Sequence, residues 1–308
     1  MAMFAMQCLE PVVAWARRLA GALLVCAVLP ASAATPAAEA LRERHAALAG
    51  QLASNAFQRP ILLQSTQGSG ELKGEVYAIV EHPFATLDGA LRNVERWCDV
   101  LILPFNVKQC RTLGSASAPT LELMIGRKHD QPVADAYKVD FAYQLAAAEP
   151  DYLKVMLNAD AGPMGTREYR IVFEATPLDV RRSFIHMAYS YGFGLAARIA
   201  MQAYLATAGS GKVGFSIIDR KPDGQPVYVA SMRGVIERNT MRYYLAIDAY
   251  LDSLQAAPAQ RVEHRLHQWF SATERYPRQL HEIEEAEYLA MKRREIERQQ
   301  ALAQAKTG

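Results

Sequence analysis

Between Asn106 and Gly192 six consecutive segments alternate apolar and polar side chains, joined by links that leave room only for hairpins. The segments run 106–114, 120–128, 134–146, 151–162, 166–177 and 181–192, with Gly, Pro and Asp between them. A parallel return needs a crossover of about a dozen residues or more, so these strands are antiparallel neighbours. Tyr137, Val139, Phe141 and Tyr143 form one apolar stripe, and Leu153, Val155 and Leu157 the next. Tyr169, Ile171 and Phe173, then Ile185, Met187 and Tyr189, continue the series. Lys138, Asp140, Lys154, Asn158, Arg170 and Glu174 stand opposite, so one face of the sheet is buried and the other is wet. The buried face requires a cover.

The best candidate for that cover is Arg238 to Leu254, RNTMRYYLAIDAYLDSL. Asn239 and Thr240 are good N-caps, and Tyr244, Ile247, Leu251 and Leu254 recur at steps of three and four on one helical face. Upstream, 74–83 reads as a strand that Pro83 ends, and 84–102 as two short helices carrying Leu87, Leu91, Val94 and Trp97. Residues 35–58 are Ala-rich and predict a leading helix or arm within 34–69. A polar Gly/Ser break over 64–74 then opens a main domain of 70–256. After the last strand, 192–209 turns helical, with Leu195, Ile199, Ala203 and Leu205 or Ala206 on its inner side and Gly209 as C-cap. Residues 212–234 form a hairpin around Pro222-Asp223-Gly224. Past Pro258 the chain becomes heavily charged, with Ser271 and Glu274 as a capping box and a short Leu280, Ile283 stripe that Glu287 and Arg294 break. Residues 257–308 thus read as a solvated helical tail, or alternatively as a helix that binds a partner.

The first 33 residues stand apart. Arg17 and Arg18 precede the apolar run LAGALLVCAVLP, and Ala31-Ser32-Ala33 is a small-residue cleavage pattern, so a secretory signal cut before Ala34 is expected. The run is near twelve residues, where a membrane span needs about 20. Export leaves Cys98 and Cys110 as the only cysteines of the mature chain, an even pair that an oxidising periplasm or exterior would allow to bridge. Such a loop is worth about 3 kcal/mol. Two buried thiols are the alternative, as is a metal site, although no CxxC or paired His stands near by to complete one. With Glu10, Arg17 and Arg18 set aside, 32 of the 34 basic and 31 of the 32 acidic residues remain. Near-neutrality argues against a nucleic-acid partner.

Catalytic templates find little. There is no GxSxG and no HExxH, and Gly209-Ser210-Gly211-Lys212 fails as a phosphate loop because position 206 is Ala and Val213 follows the lysine. His264 and His267 with Glu263 share a helix face but lie in the charged tail, and His186 falls on the polar face of its strand. The one concentrated polar cluster is Arg233, Glu237, Arg238, Asn239 and Arg242, beside Tyr243 and Tyr244. It reads either as a salt-bridge knot that fixes the helix start or as a clamp for a polar head group at the end of an apolar cavity.

A strand, two short helices, a run of antiparallel strands and a long amphipathic C-terminal helix is an order that resembles the START-like, or polyketide-cyclase-like, helix-grip superfamily over about residues 74 to 255. The resemblance implies an α+β fold, with a curved antiparallel sheet wrapped around the C-terminal helix and a hydrophobic cavity between them. The stretch from Gly192 to about Tyr228 is an insertion relative to that order. Tyr189, Arg233, Glu237, Arg242, Tyr244, Ile247 and Leu251 are the expected ligand-binding residues, for a lipid or another apolar small molecule, with no cofactor and no metal. Two other activities fit the sequence. One is a cyclase- or hydrolase-type cavity enzyme using Tyr189, His186 or Glu237, and the other an envelope scaffold that recruits a protein partner through its tail.

Overall fold

A computed structural model describes residues 34–304 apart from Ala208 and Ser210. The secretory signal expected over residues 1–33 therefore lies outside the described residues. Ten strands and eight helices follow in chain order: α1 (Pro36–Ala53), β1 (Ile61–Gln67), β2 (Glu71–Val80), α2 (Phe84–Leu91), α3 (Val94–Leu101), β3 (Val107–Ser115), β4 (Ala118–Ile125), β5 (Tyr137–Glu149), β6 (Tyr152–Ala161), β7 (Thr166–Pro177) and β8 (Ser183–Phe193). Then come α4 (Leu195–Ala206), the hairpin β9 (Ile217–Arg220) and β10 (Pro226–Tyr228), α5 (Ser231–Ser253), α6 (Arg261–Glu274), α7 (Pro277–Leu280) and α8 (Glu285–Gln304). Strands β1 to β8 form one open antiparallel sheet in the order β1-β2-β8-β7-β6-β5-β4-β3. The fold is α+β with the sheet gripping a long helix, as the helix-grip resemblance implies. Among the described residues no helix is long and apolar enough to cross a membrane.

One strand escapes the sequence. β1 pairs with β2 along its whole length, Ile61 opposite Ala78 through Gln67 opposite Leu72, so the sheet begins at residue 61 and only Gly68, Ser69 and Gly70 of the expected polar break lie outside strands. Its three leading apolar residues are followed by QSTQ, which carries no alternation to read.

The gripped helix starts earlier than expected. α5 begins at Ser231, with no side-chain cap, so Asn239 and Thr240 lie in its middle and not at its start. The Thr240 hydroxyl donates to Ile236 O at 2.8 Å, the back-bond of a helix interior. α5 packs on β1, β2 and β8, and its approach to the sheet is set by Gly74 of β2. A Cβ at Gly74 would lie 2.2 Å from Thr240 Oγ1 and 3.1 Å from Thr240 Cβ, closer than atoms can pack. On the sheet's other face α1 covers a small second core of Leu41, Leu48, Leu52, Tyr77, Tyr152 and Phe184.

The charged C-terminal region is not solvated. Leu266, Trp269, Phe270, Leu280, Tyr288 and Met291 belong to the main core, and Ser271 and Glu274 fall at the C-terminal end of α6 rather than capping a helix start. The Trp269 indole donates to Arg242 O at 3.1 Å, and the Tyr288 hydroxyl to Leu103 O at 3.0 Å. α8 lies along the edge strand β3, where Gln299 Oε1 accepts from Cys110 N at 2.9 Å and so caps part of an edge that would otherwise stay open. Beneath it Lys108, Lys292 and Glu295 are fully buried together. Lys108 Nζ donates to Phe105 O, His129 O and Glu295, while Lys292 Nζ donates to Val107 O and Glu295, both at 2.8 Å. Burial, then the neighbouring Lys108 charge, pushes Lys292 down to about 8. Periodicity counts such residues as solvent-facing, which is why the tail reads wrongly from sequence.

Cys98 in the middle of α3 and Cys110 in β3 come within disulfide distance, S–S 2.00 Å and Cα–Cα 5.2 Å. The pair ties the helical layer to the sheet edge, as their places in the sequence predict.

Candidate functional site

A cavity of about 220 Å³ remains between the ends of β7 and β8, the N-terminal half of α5, α4 and the turn at 163–165. The alternation that builds the core continues into it. Tyr169, Tyr189 and Tyr191 point inward from β7 and β8, and Val235, Asn239 and Tyr243 line the opposite wall at helical spacing. The rings form a connected wall: Tyr169 to Tyr191 at 5.2 Å, Tyr189 to Tyr191 at 5.7 Å and Tyr189 to Tyr243 at 5.3 Å between centroids. Ala197 and Met201 of α4 close one side.

The hydroxyls at these rings differ. Thr166 Oγ1 donates to Pro163 O at 2.5 Å and therefore accepts from Tyr169 OH at 2.7 Å. Among the described residues Tyr189, Tyr191 and Tyr243 make no side-chain hydrogen bond, so their phenols are available to whatever fills the cavity. Burial raises all four tyrosines above their ordinary value of 10, so they stay neutral well into the alkaline range.

At the α5 wall stands Arg242, 6% exposed. Its Nη2 donates to Leu280 O at 3.4 Å and to the Glu282 carboxylate, while its Nε is buried with no partner. Glu282 is shared, since Lys128 Nζ reaches it at 2.6 Å and Lys212 Nζ at 3.5 Å. Burial, then the nearby Arg242 charge, pushes Lys128 down to about 8. Burial works to raise the Glu282 carboxyl, but the cations around it outweigh that and hold it below its ordinary value.

The other expected site residues lie elsewhere. Tyr244, Ile247 and Leu251 are 0%, 1% and 0% exposed in the main core on the other flank of α5 and do not line this cavity. Glu237 accepts from Ser65 Oγ at 2.5 Å, Phe215 N at 2.6 Å, and Ser216 N and Oγ at 2.9 and 2.7 Å. Arg233 donates through Nε to Ser65 Oγ at 2.8 Å and stands 3.9 Å from Glu237. These two form the structural knot, which pins β1 and the segment at 215–216 to the helix. The arrangement brings together only Tyr189 and Arg242 of the expected set, and adds Tyr169, Tyr191, Asn239 and Tyr243.

His186 sits on the opposite face of β8 from Tyr189. Its Nδ1 is 2.8 Å from Glu174 and its Nε2 3.0 Å from Glu75, with the ring stacked on Tyr77 at 4.5 Å. His186, Tyr189 and Glu237 therefore do not converge on one reacting centre. Among the described residues no group of three His, Cys, Asp or Glu side chains is arranged to hold a metal ion. Helix α4 also turns a different side inward, burying Ala197 and leaving Leu195 and Ile199 72% and 58% exposed. A second depression, of about 550 Å³, lies between Arg59, Phe215, Tyr228 and Tyr276. Its Arg59 is already committed to Asp248 at 2.8 Å.

No family model matches the chain, and no curated protein matches it. The solved structures it is similar to include norcoclaurine synthase from Thalictrum flavum in complex with dopamine and hydroxybenzaldehyde. That structure is 13% identical, covering 48% of this chain and 88% of that one, with a TM-score of 0.33. The Zhui aromatase/cyclase from Streptomyces sp. R1128 is 13% identical over 61% of this chain and 97% of its own, TM-score 0.37. A conserved protein of unknown function from Enterococcus faecalis is 8% identical over 68% and 91%, TM-score 0.33. The first two are proteins of the START and polyketide-cyclase helix-grip superfamily. The helix-grip arrangement of this chain itself stands on the sheet order and on the seat of α5 over β1, β2 and β8.

Proposed function

We propose that this chain is a binding protein for a small apolar molecule, and that it works after export from the cytoplasm. The observation that carries the reading is the tyrosine-walled cavity, where a mainly apolar lining is combined with a few phenol hydroxyls that find no partner among the described residues. That combination is the usual make-up of a ligand pocket. Its volume of about 220 Å³ lies below the range of about 300–1,000 Å³ typical of drug-sized ligands. A single ring or a short chain therefore suits it better than the two acyl chains of a membrane lipid. Export is supported by the N-terminal charge, apolar run and Ala31-Ser32-Ala33 pattern, and by the paired Cys98 and Cys110.

Native mass spectrometry of protein purified from its own host, with organic extraction of the same sample, tests both parts. The expected result is a chain that begins at Ala34 and carries one apolar molecule. A chain that retains residues 1–33 removes the export reading. Protein that is empty in every preparation, and whose tyrosine fluorescence does not respond to toluene or naphthalene, removes the binding reading.

A further inference from the structure

The lining of the tyrosine cavity contains one cation, Arg242, and no carboxylate. A guanidinium carries five N–H donors and cannot lose its charge. Both hydrogen bonds that Arg242 makes run through Nη2, to Leu280 O and to Glu282, and its Nε is sealed from water without a partner. An unmet donor on a buried charge is costly unless something else meets it. Glu282 does not settle the account alone, because Lys128 and Lys212 draw on the same carboxylate at 2.6 and 3.5 Å. Other donors face the same space. Asn239, one turn before Arg242, lines the wall and makes no side-chain hydrogen bond among the described residues, and the Tyr189 and Tyr243 hydroxyls are unengaged too.

We propose that Arg242, assisted by Asn239 and the Tyr189 and Tyr243 hydroxyls, is an anion subsite, and that the natural ligand is a small apolar carboxylic acid whose carboxylate rests there. The assignment rests on the binding reading above and sharpens it. A carboxylate is flat, accepts at both oxygens and matches the guanidinium fork. The four tyrosine rings take the apolar body.

The test uses the mature chain and two probes of one shape, 4-methylbenzoate and its neutral isostere 4-methylbenzamide, compared by calorimetric titration. The acid is expected to bind at least tenfold more tightly than the amide, and Arg242→Gln to bring the acid down to the amide's affinity. Arg242→Lys, which keeps the charge and loses the fork, should recover part of the difference. Equal binding of the two probes to the wild type overturns the anion subsite and leaves the cavity reading standing. Binding of neither probe, nor of toluene, overturns both. The wild-type ratio decides the matter even where Arg242→Gln, stripped of its Glu282 contact, does not fold.

Discussion

The two flanks of α5 face the same sheet and end differently. On one, Tyr244, Ile247 and Leu251 are packed solid, and the filling continues through α6 and α8 to the edge of β3. On the other, Val235, Asn239 and Tyr243 leave a hollow against Tyr169, Tyr189 and Tyr191. Tyrosines stand on both flanks, and the difference is that Tyr244 is enclosed by core side chains whereas Tyr169, Tyr189, Tyr191 and Tyr243 border open space.

The largest expected effect lies on the packed side. Glu295→Ala would strand the Lys108 and Lys292 ammonium groups in the core, and breaking such a buried pair costs about 3–5 kcal/mol. Urea unfolding measures it, and a loss under about 1 kcal/mol would mean that α8 is not docked as described. Next, Leu251→Ala should cost about 2–5 kcal/mol. Val235→Ala, which borders space already open, should cost clearly less. Equal losses at the two sites would erase the contrast between the flanks.

Reducing the Cys98–Cys110 pair should remove about 3 kcal/mol while leaving probe binding in the cavity intact, since the bond lies at the packed edge. A binding constant that falls on reduction would tie the two regions together.

The smallest effect is a pH dependence on the outer face. Burial alone would lower His186, but hydrogen bonds to Glu174 and Glu75 outweigh it and hold the imidazole above its ordinary 6.5. The hydrogen bond from His186, opposed by burial and aided by Lys73, brings Glu75 down to about 2. Burial opposes the same shift at Glu174, where bonds from His186 and Tyr152 prevail and bring it to about 2. A raised histidine stabilises fully below 6.5 and loses its contribution as pH rises through its folded value, while the depressed carboxyls stabilise above 4.5 and lose theirs toward pH 2. The stability difference between wild type and His186→Gln should therefore be greatest near pH 4.5–6.5 and shrink on both sides. A difference that is flat from pH 4 to 9 contradicts the charged network.

Much of this architecture is legible in the chain. The strands from β3 to β8 announce themselves through alternation and turn residues, and the short helices α2 and α3 through their spacing. β1 does not, because ILLQSTQ offers three apolar residues and then a polar run. The tail misleads because its buried Lys108, Lys292 and Glu295 partners are charged, and no periodicity distinguishes a paired buried charge from a solvated one. The site is half legible. Tyr189 and Arg242 stand out, yet adjacent Tyr243 and Tyr244 face opposite flanks, and choosing the more aliphatic flank selects the full one. The signal that points the other way is Val235, Asn239 and Tyr243 at steps of four, read together with tyrosines at matching strand ends.

Gly74 sets how closely α5 approaches β2 beside the hollow. It lies opposite Tyr189 across the β2–β8 ladder and directly under Thr240, so the missing side chain acts as the clearance between helix and sheet. A single methyl group there would work as a shim. It would tilt α5 about its contact with β2 and change the gauge of the tyrosine cavity without touching any residue that lines it. The width of the tyrosine cavity thereby depends partly on an atom that is absent from β2.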